Sequence, residues 1–539
     1  MTVEEWSLSD SQRQETVSRM ANNISALAFF RGTPIPDDAV QAAAAAVEKK
    51  AYTVARVEAR TTTGVRPHHE TLKAYIRKLS ALALEVVASG GAGLAGSAAE
   101  GAPAGQAADE LDLTGSREFL TRESAEELLA PMLAPGAKVS KVCGSGDAVW
   151  MSIRFSTKSF GVEAAEVAAR AIENVAGSLV DADMSDIIAG RPEAEALAAM
   201  RIITAALGKA RLLHLDFSDN ALGEKGIRAC AAAFVKQEAL ESIAFKNVGC
   251  SVHGCAALDE LMCNTASLRR LHLYNNMSDN EGAASIARLL SRCPAMEDFK
   301  MVSSRVGHEG GVALAQGLAA ARGLVRLDLH DNPITADFAP ALAALLASQA
   351  HLKALVLNDT CLGDEGVAEV CGALGAGGGA PQLEELELAL NEITPQGAVA
   401  VAAAVAAKSS LRRLNLRENE LEDEGAVIVA KALVGLTALE SVDASANQLK
   451  RGGVCALAKA CARKPALSLL ALDENEVSDA GVEALKDIMR RIGKPEALGP
   501  LDENMPDEDD EEEGAENDGI ELDDVAGDDL AAAMGKAHI

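Results

Sequence analysis

Aromatic residues make up only 3% of the 539 positions, with two Trp and three Tyr. A core without large rings must stack many small aliphatic side chains at close range, which suits repeated helix and strand contacts. No uninterrupted apolar run of about 18 residues occurs, so the sequence encodes no spanning helix. There is no G-x-x-x-x-G-K-[ST] stretch, and Gly144-Ser145-Gly146 and Gly452-Gly453 are too short to cradle phosphates. Cations are also in deficit: 50 basic against 80 acidic residues leave a net charge of −30. That balance disfavours nucleic acid or an anionic membrane as the main partner and favours a partner with a basic surface. The ten cysteines include no C-x-x-C pair, and no signal peptide is recognisable from Met1 to Asp10. They are expected to be buried thiols in a reducing compartment. His214, His272 and His330 fall at different phases of the repeat described next and form no ligand cluster, so neither a metal nor a cofactor is expected.

What the chain does have is period. From Leu212 onward the pattern L-x-x-L-x-L-x-x-N-x-L recurs, beginning with Leu212, Leu215, Phe217, Asn220 and Leu222. Its ninth position falls at Asn220, Val248, Asn276, Ser304, Asn332, Thr360, Asn391, Asn419, Asn447 and Asn475, a spacing of 28 residues with one step of 31 before Asn391. The longer step coincides with Gly377-Gly378-Gly379, a loop insertion. Backwards, the frame reaches Leu179, Ala182, Met184 and Ile187, and less well Trp150, Ile153, Phe155 and Lys158, for about twelve repeats of which the first two are degenerate. This is the leucine-rich repeat, one strand and one helix per unit, stacked as an α/β horseshoe of the ribonuclease-inhibitor-like kind. The alternating leucines enter the core, and the ninth-position Asn can satisfy backbone groups where the chain leaves the strand. The step from Ile187 to Asn220 is 33 residues, the longest in the array, and the surplus contains Arg191.

Around this array the sequence divides into further parts. Residues 1–88 read as a small helical domain, with Ser9 or Asp10 as a cap, breaks at Pro34 and Pro36, and helices over 37–59 and 70–87. Residues 89–110 are a Gly/Ala-rich flexible linker. Residues 111–149 are expected to cap the open end of the horseshoe, with an insertion at 144–151, and residues 150–498 to form the array. Residues 499–539 are expected to be a disordered tail, because 502–529 hold sixteen Asp/Glu and no Lys/Arg. That run serves solubility and C-terminal capping, or draws in a basic partner.

Two resemblances enter on particular residues. Trp6-Ser7-Leu8, Arg19-Met20, Asn22-Asn23, Phe30-Arg31, Lys50-Ala51-Tyr52, Tyr75 and Leu84-Glu85-Val86-Val87 resemble the plant WPP domain, a helical module that docks on coiled-coil proteins of the nuclear envelope. The family's Trp-Pro-Pro is Trp-Ser-Leu here, so Trp6 is either a targeting residue or a core or capping tryptophan. The array resembles the Ran GTPase-activating proteins of plants and algae through Ser159-Phe160-Gly161, Ser185-Asp186-Ile187, Gly190-Arg191-Pro192-Glu193-Ala194, the stretch Ser218 to Gly226, Asn275-Asn276-Met277, Arg305 to Gly311, and Leu498 to Asn504.

The resemblance implies a GTPase activator, not itself the hydrolase, that binds Ran in its GTP form and supports nucleocytoplasmic transport. It implies a cytoplasmic location, extending to the outer nuclear envelope, and a Ran-binding co-activator as a further partner. GTP and Mg²⁺ would belong to the GTPase, whose own loops hold them and whose glutamine orients the water. The resemblance makes Arg191 the residue that supports activation by interface and loop-ordering work. Read from sequence alone, Arg191 either reaches past the strand ridge or bonds a neighbouring loop or Asp186. Asn220, Asn275, Asn276 and Asp331, with Arg305, would form the partner-binding surface, although Asn220 and Asn276 also fit a purely structural ladder. A leucine-rich adaptor or inhibitor that changes no reaction rate is the other reading.

Overall fold

The computed structural model describes residues 110–134, 151–462 and 464–505, with scattered positions between Arg13 and Leu79. The chain divides into two compact units, Met1–Gln106 and Ala107–Ile539. In the first, the described positions are helical, and Ile24, Val40, Ala44, Val47, Ala51 and Leu79 are buried. Its interior also holds a charge: buried Glu48 accepts two hydrogen bonds from Arg13, at 2.8 and 2.6 Å, and one from the Tyr75 hydroxyl at 3.1 Å. Burial, reinforced by that carboxylate, pushes the Tyr75 phenol up to about 12. Trp6 and the linker lie outside the described residues.

In the second unit each repeat contributes one short strand, and 13 strands run parallel in chain order in a single sheet. The register is direct: Leu215 pairs with Ile243, Ile243 with Leu271, Leu271 with Phe299 and Phe299 with Leu327. A 28-residue period therefore becomes a stack of apolar side chains one strand spacing apart, all buried. Each such side chain contributes about 1.5–3 kcal/mol when removed from water. A helix closes most units; Val162–Val175, Glu193–Leu207, Asp279–Leu290, Pro395–Ala406 and Glu422–Leu433 are among the longest.

A polar ladder runs beside the apolar stack. The Asn220 side chain donates to the carbonyls of Met184, Phe217 and Ser218 at 2.8, 2.9 and 3.1 Å and accepts from the Ile187 amide at 2.9 Å. Asn276 and Asn332 make corresponding bonds further along the array, each to its own turn and to the repeat before. Leaving one buried backbone group unpaired costs about 1–3 kcal/mol, which explains why asparagine, with both donors and an acceptor, recurs here.

Both ends of the array differ from expectation. The cap is partly a repeat: strand Glu110–Asp112 pairs in parallel with Met151–Arg154 and extends the main sheet. Strand Glu118–Leu120 pairs with Lys158–Phe160 in a separate two-stranded sheet, and Thr121 then caps helix Arg122–Leu128. Residues 135–150, with Cys143 and most of the expected insertion, lie outside the described residues. At the other end the ordered array continues beyond 498. Leu498 bridges Leu470, the Asn504 side chain accepts from the Asn475 amide at 2.9 Å, and the Met505 amide donates to the Asn475 carbonyl at 2.9 Å. Asn504 is thus a last rung, and the boundary expected at 499 moves to 505; the acidic run from Asp507 lies outside the described residues. Of the nine described cysteines seven are buried as expected, whereas Cys263 and Cys361 are exposed. Among the described residues no helix is long and apolar enough to cross a membrane, and no group of three or more His, Cys, Asp or Glu is placed to hold a metal ion.

Candidate functional site on the loop edge

The loops that leave the strands share one backbone device. The residue before each ladder position is left-handed, with φ of 58° at Asp219, 53° at Asn247, 51° at Asn275, 47° at Ser303 and 54° at Asp331. Asp and Asn tolerate this conformation better than other non-glycine residues, which accounts for their frequency at these positions. The turn sends the ladder residue inward and its predecessor outward: Asn276 is buried, while Asn275 beside it is exposed. Along the edge Asn275 donates to the Asn247 side chain at 3.1 Å, and Asn247 donates to Asp219 at 3.2 Å. Exposed Arg305 and Asp331 stand further along, neither with a side-chain partner among the described residues.

Asn220 and Asn276 need a correction as contact residues. Their amides are committed to backbone on both sides and buried, so they support the edge from within and are not part of its surface. Asn275, Arg305 and Asp331 are on the surface.

Arg191 is held in a pose the periodicity did not define. Its loop departs from the frame between Met184 and helix Glu193–Leu207, and the side chain turns back toward the first repeats. Nη2 donates to the carbonyls of Ser159 at 2.7 Å and Leu120 at 3.2 Å, Nε donates to Ser159 Oγ at 3.0 Å, and Nη1 meets Glu195 at 3.2 Å. Four of the five guanidinium N–H groups are thereby engaged. Asp186 is not its partner; that carboxylate is paired with Arg117. The face of the guanidinium lies 5.1 Å from the centre of the Phe119 ring. Two glycines make room: a Cβ on Gly190, whose φ is +74°, would lie 2.7 Å from Phe119, and one on Gly161 would lie 2.9 Å from Arg191 Nη1. The repeat pattern gives no reason to single out Phe119 or Arg117, whereas Asp219 and Asn247 stand at the same repeat position as Asn275 and Asp331 and are marked by it. For Phe119 the one usable signal is an aromatic side chain outside the alternating core pattern, in a chain so poor in aromatics.

The WPP domain family matches residues 2–95, and the leucine-rich repeat family matches 348–371, 381–402 and 407–429. The chain thus joins a segment that matches the WPP domain to leucine-rich repeats. In its N-terminal region the chain is 44% identical over 129 residues to RAN GTPase-activating protein 1 of Arabidopsis thaliana, and 43% identical over 129 residues to RAN GTPase-activating protein 2 of the same plant. Each match covers 24% of this chain and 22% of the relative. The chain therefore spans about a fifth of the length of these relatives, and the likeness lies in its N-terminal region. A further match is 28% identical over 198 residues to the ribonuclease inhibitor of Mus musculus, covering 31% of this chain and 43% of that protein, in keeping with the horseshoe fold.

Proposed function

We propose that this chain activates Ran: it docks on the GTP-bound GTPase through the loop edge and accelerates hydrolysis that takes place in the partner's own nucleotide site. The observation that carries the reading is the edge itself. Successive repeats from Asp219 to Asp359 present one polar side chain there, and Asn275, Arg305 and Asp331, like the loop that holds Arg191, follow strands of the same parallel sheet. The identity to two Ran GTPase-activating proteins supports the choice of partner. Arg191 works at the interface, ordering a partner loop, because most of its N–H groups already hold its own loop in place. The setting is cytoplasmic, in the service of nuclear transport, with the WPP domain as the attachment to coiled-coil proteins of the outer nuclear envelope and a Ran-binding co-activator assisting. The test is single-turnover GTP hydrolysis by Ran with the full chain and with Arg191→Ala. Acceleration by the wild type that falls at least about tenfold in the variant, about 1.4 kcal/mol in barrier, supports the reading. Binding without acceleration would instead identify a leucine-rich adaptor.

A further inference from the structure

Phe119 is the most exposed Phe or Tyr among the described residues, at 57% of its surface, and it is not a loose surface residue. It sits on strand Glu118–Leu120, between Arg117, which is ion-paired to Asp186, and Leu120, whose carbonyl receives Arg191 Nη2. One face of the ring covers the guanidinium, and its edge fills the space that Gly190 leaves by having no side chain. A phenyl ring over a guanidinium attracts it through the ring quadrupole, by about 0.5–1 kcal/mol at an exposed site and about 2 kcal/mol or more once water is removed. The contact thus strengthens when a partner covers the remaining ring surface.

We propose that Phe119 is a positioning residue for Arg191: it holds the guanidinium against the Leu120 and Ser159 carbonyls, and its open face is covered by the docked GTPase. The inference rests on the function proposed above and adds the segment 117–120 to the activating site. Docking would place apolar surface of the GTPase on Phe119, exclude water from the guanidinium and leave the remaining Nη1 N–H of Arg191 to meet a carbonyl or carboxylate of the partner.

The experiment compares single-turnover hydrolysis by GTP-loaded Ran across a range of concentrations of full-length wild type, Phe119→Ala, Phe119→Tyr, Arg191→Ala and the Phe119→Ala/Arg191→Ala pair. The expected result is that Phe119→Ala lowers the saturating rate about tenfold and raises the half-saturating concentration severalfold, that Phe119→Tyr retains both, and that the double variant is no slower than Arg191→Ala. Unfolding by urea, followed on the same samples, separates loss of folded protein from loss of positioning. A Phe119→Ala chain that keeps the full saturating rate while Arg191→Ala has lost it would overturn the proposal, and so would fully additive losses in the double variant or a loss that Phe119→Tyr does not restore. An inactive wild type would instead overturn the functional reading, and is distinguished by the absence of any acceleration to compare.

Discussion

Asn275 and Asn276 are chemically identical neighbours with opposite employment. The first stands in the exposed row and shares one side-chain bond with Asn247; the second lies in the buried ladder and bonds the Val248 and Cys250 amides and the Phe245 and Tyr274 carbonyls. What separates them is one left-handed residue, repeated through the array. The inner row makes the edge rigid, and the outer row gives it chemistry. In such an array each repeat contacts mainly its neighbours, so an inner-row defect weakens the joint between its repeat and the one before, whereas an outer-row change leaves the buried bonds in place.

The contrast breaks most visibly at a central rung. Asn276→Ala should lower the stability of the array by about 3 kcal/mol, because several buried backbone groups lose their partner, and urea unfolding followed by far-ultraviolet circular dichroism will measure it. A midpoint unchanged from wild type would mean that ordered water replaces the side chain and that the two rows are not distinct. The terminal rung sharpens the same comparison, since Asn504 is part-buried and its side chain bonds two backbone groups, the Asn475 amide and the Leu501 carbonyl, where that of Asn276 bonds four. Asn504→Ala should therefore lose about 1 kcal/mol in the same assay, clearly less than the central variant.

A smaller effect tests the charges on the sheet face beside the edge. Burial pushes the Asp328 carboxyl up, but the neighbouring His330, Lys300 and Arg326 outweigh it and hold the group below its ordinary 3.8. A depressed carboxylate contributes stability that is fully present above its unfolded value and is lost as pH falls through the lower folded value. As pH falls below about 4 the wild type should lose stability more steeply than Asp328→Asn, and chemical unfolding at stepped pH will show whether the two curves converge. The smallest change in stability belongs to the outer row. Asn275→Ala and Asp331→Ala should stay within about 0.5 kcal/mol of wild type and, on the function proposed above, slow activation of Ran severalfold. Should either be as damaging to folding as Asn276→Ala, the outer row would have to be counted with the ladder.

Much of the scaffold is legible in the residues alone, because a repeat constrains itself: Leu271 must do what Ile243 and Phe299 do, since each meets the next in register. The ladder is legible in the same way, from Asn recurring at the ninth position. The candidate site is legible only in part. Asn275, Arg305 and Asp331 carry the signal of a loop position, but Asn220 and Asn276 fit two roles by pattern, and burial removes one of them. The segment 117–120 carries no periodic signal. Its pairing with 158–160 closes across about 40 residues, and local pattern cannot announce a contact between segments of different period.

The sequence by itself determined the repeating strand-and-helix unit, its parallel stacking and the row of Asn and Asp at the turns, because all of these follow from contacts within one repeat or between adjacent repeats. The tertiary structure decided where Arg191 points, that Phe119 covers it, that residues 110–112 join the sheet, and that Asn504 closes the ladder. Arg191 shows why: its partners lie 32 and 71 residues away in the chain, on backbone carbonyls that carry no side-chain identity. Such acceptors leave no mark in a sequence, and only the folded path of the chain brings them to one guanidinium.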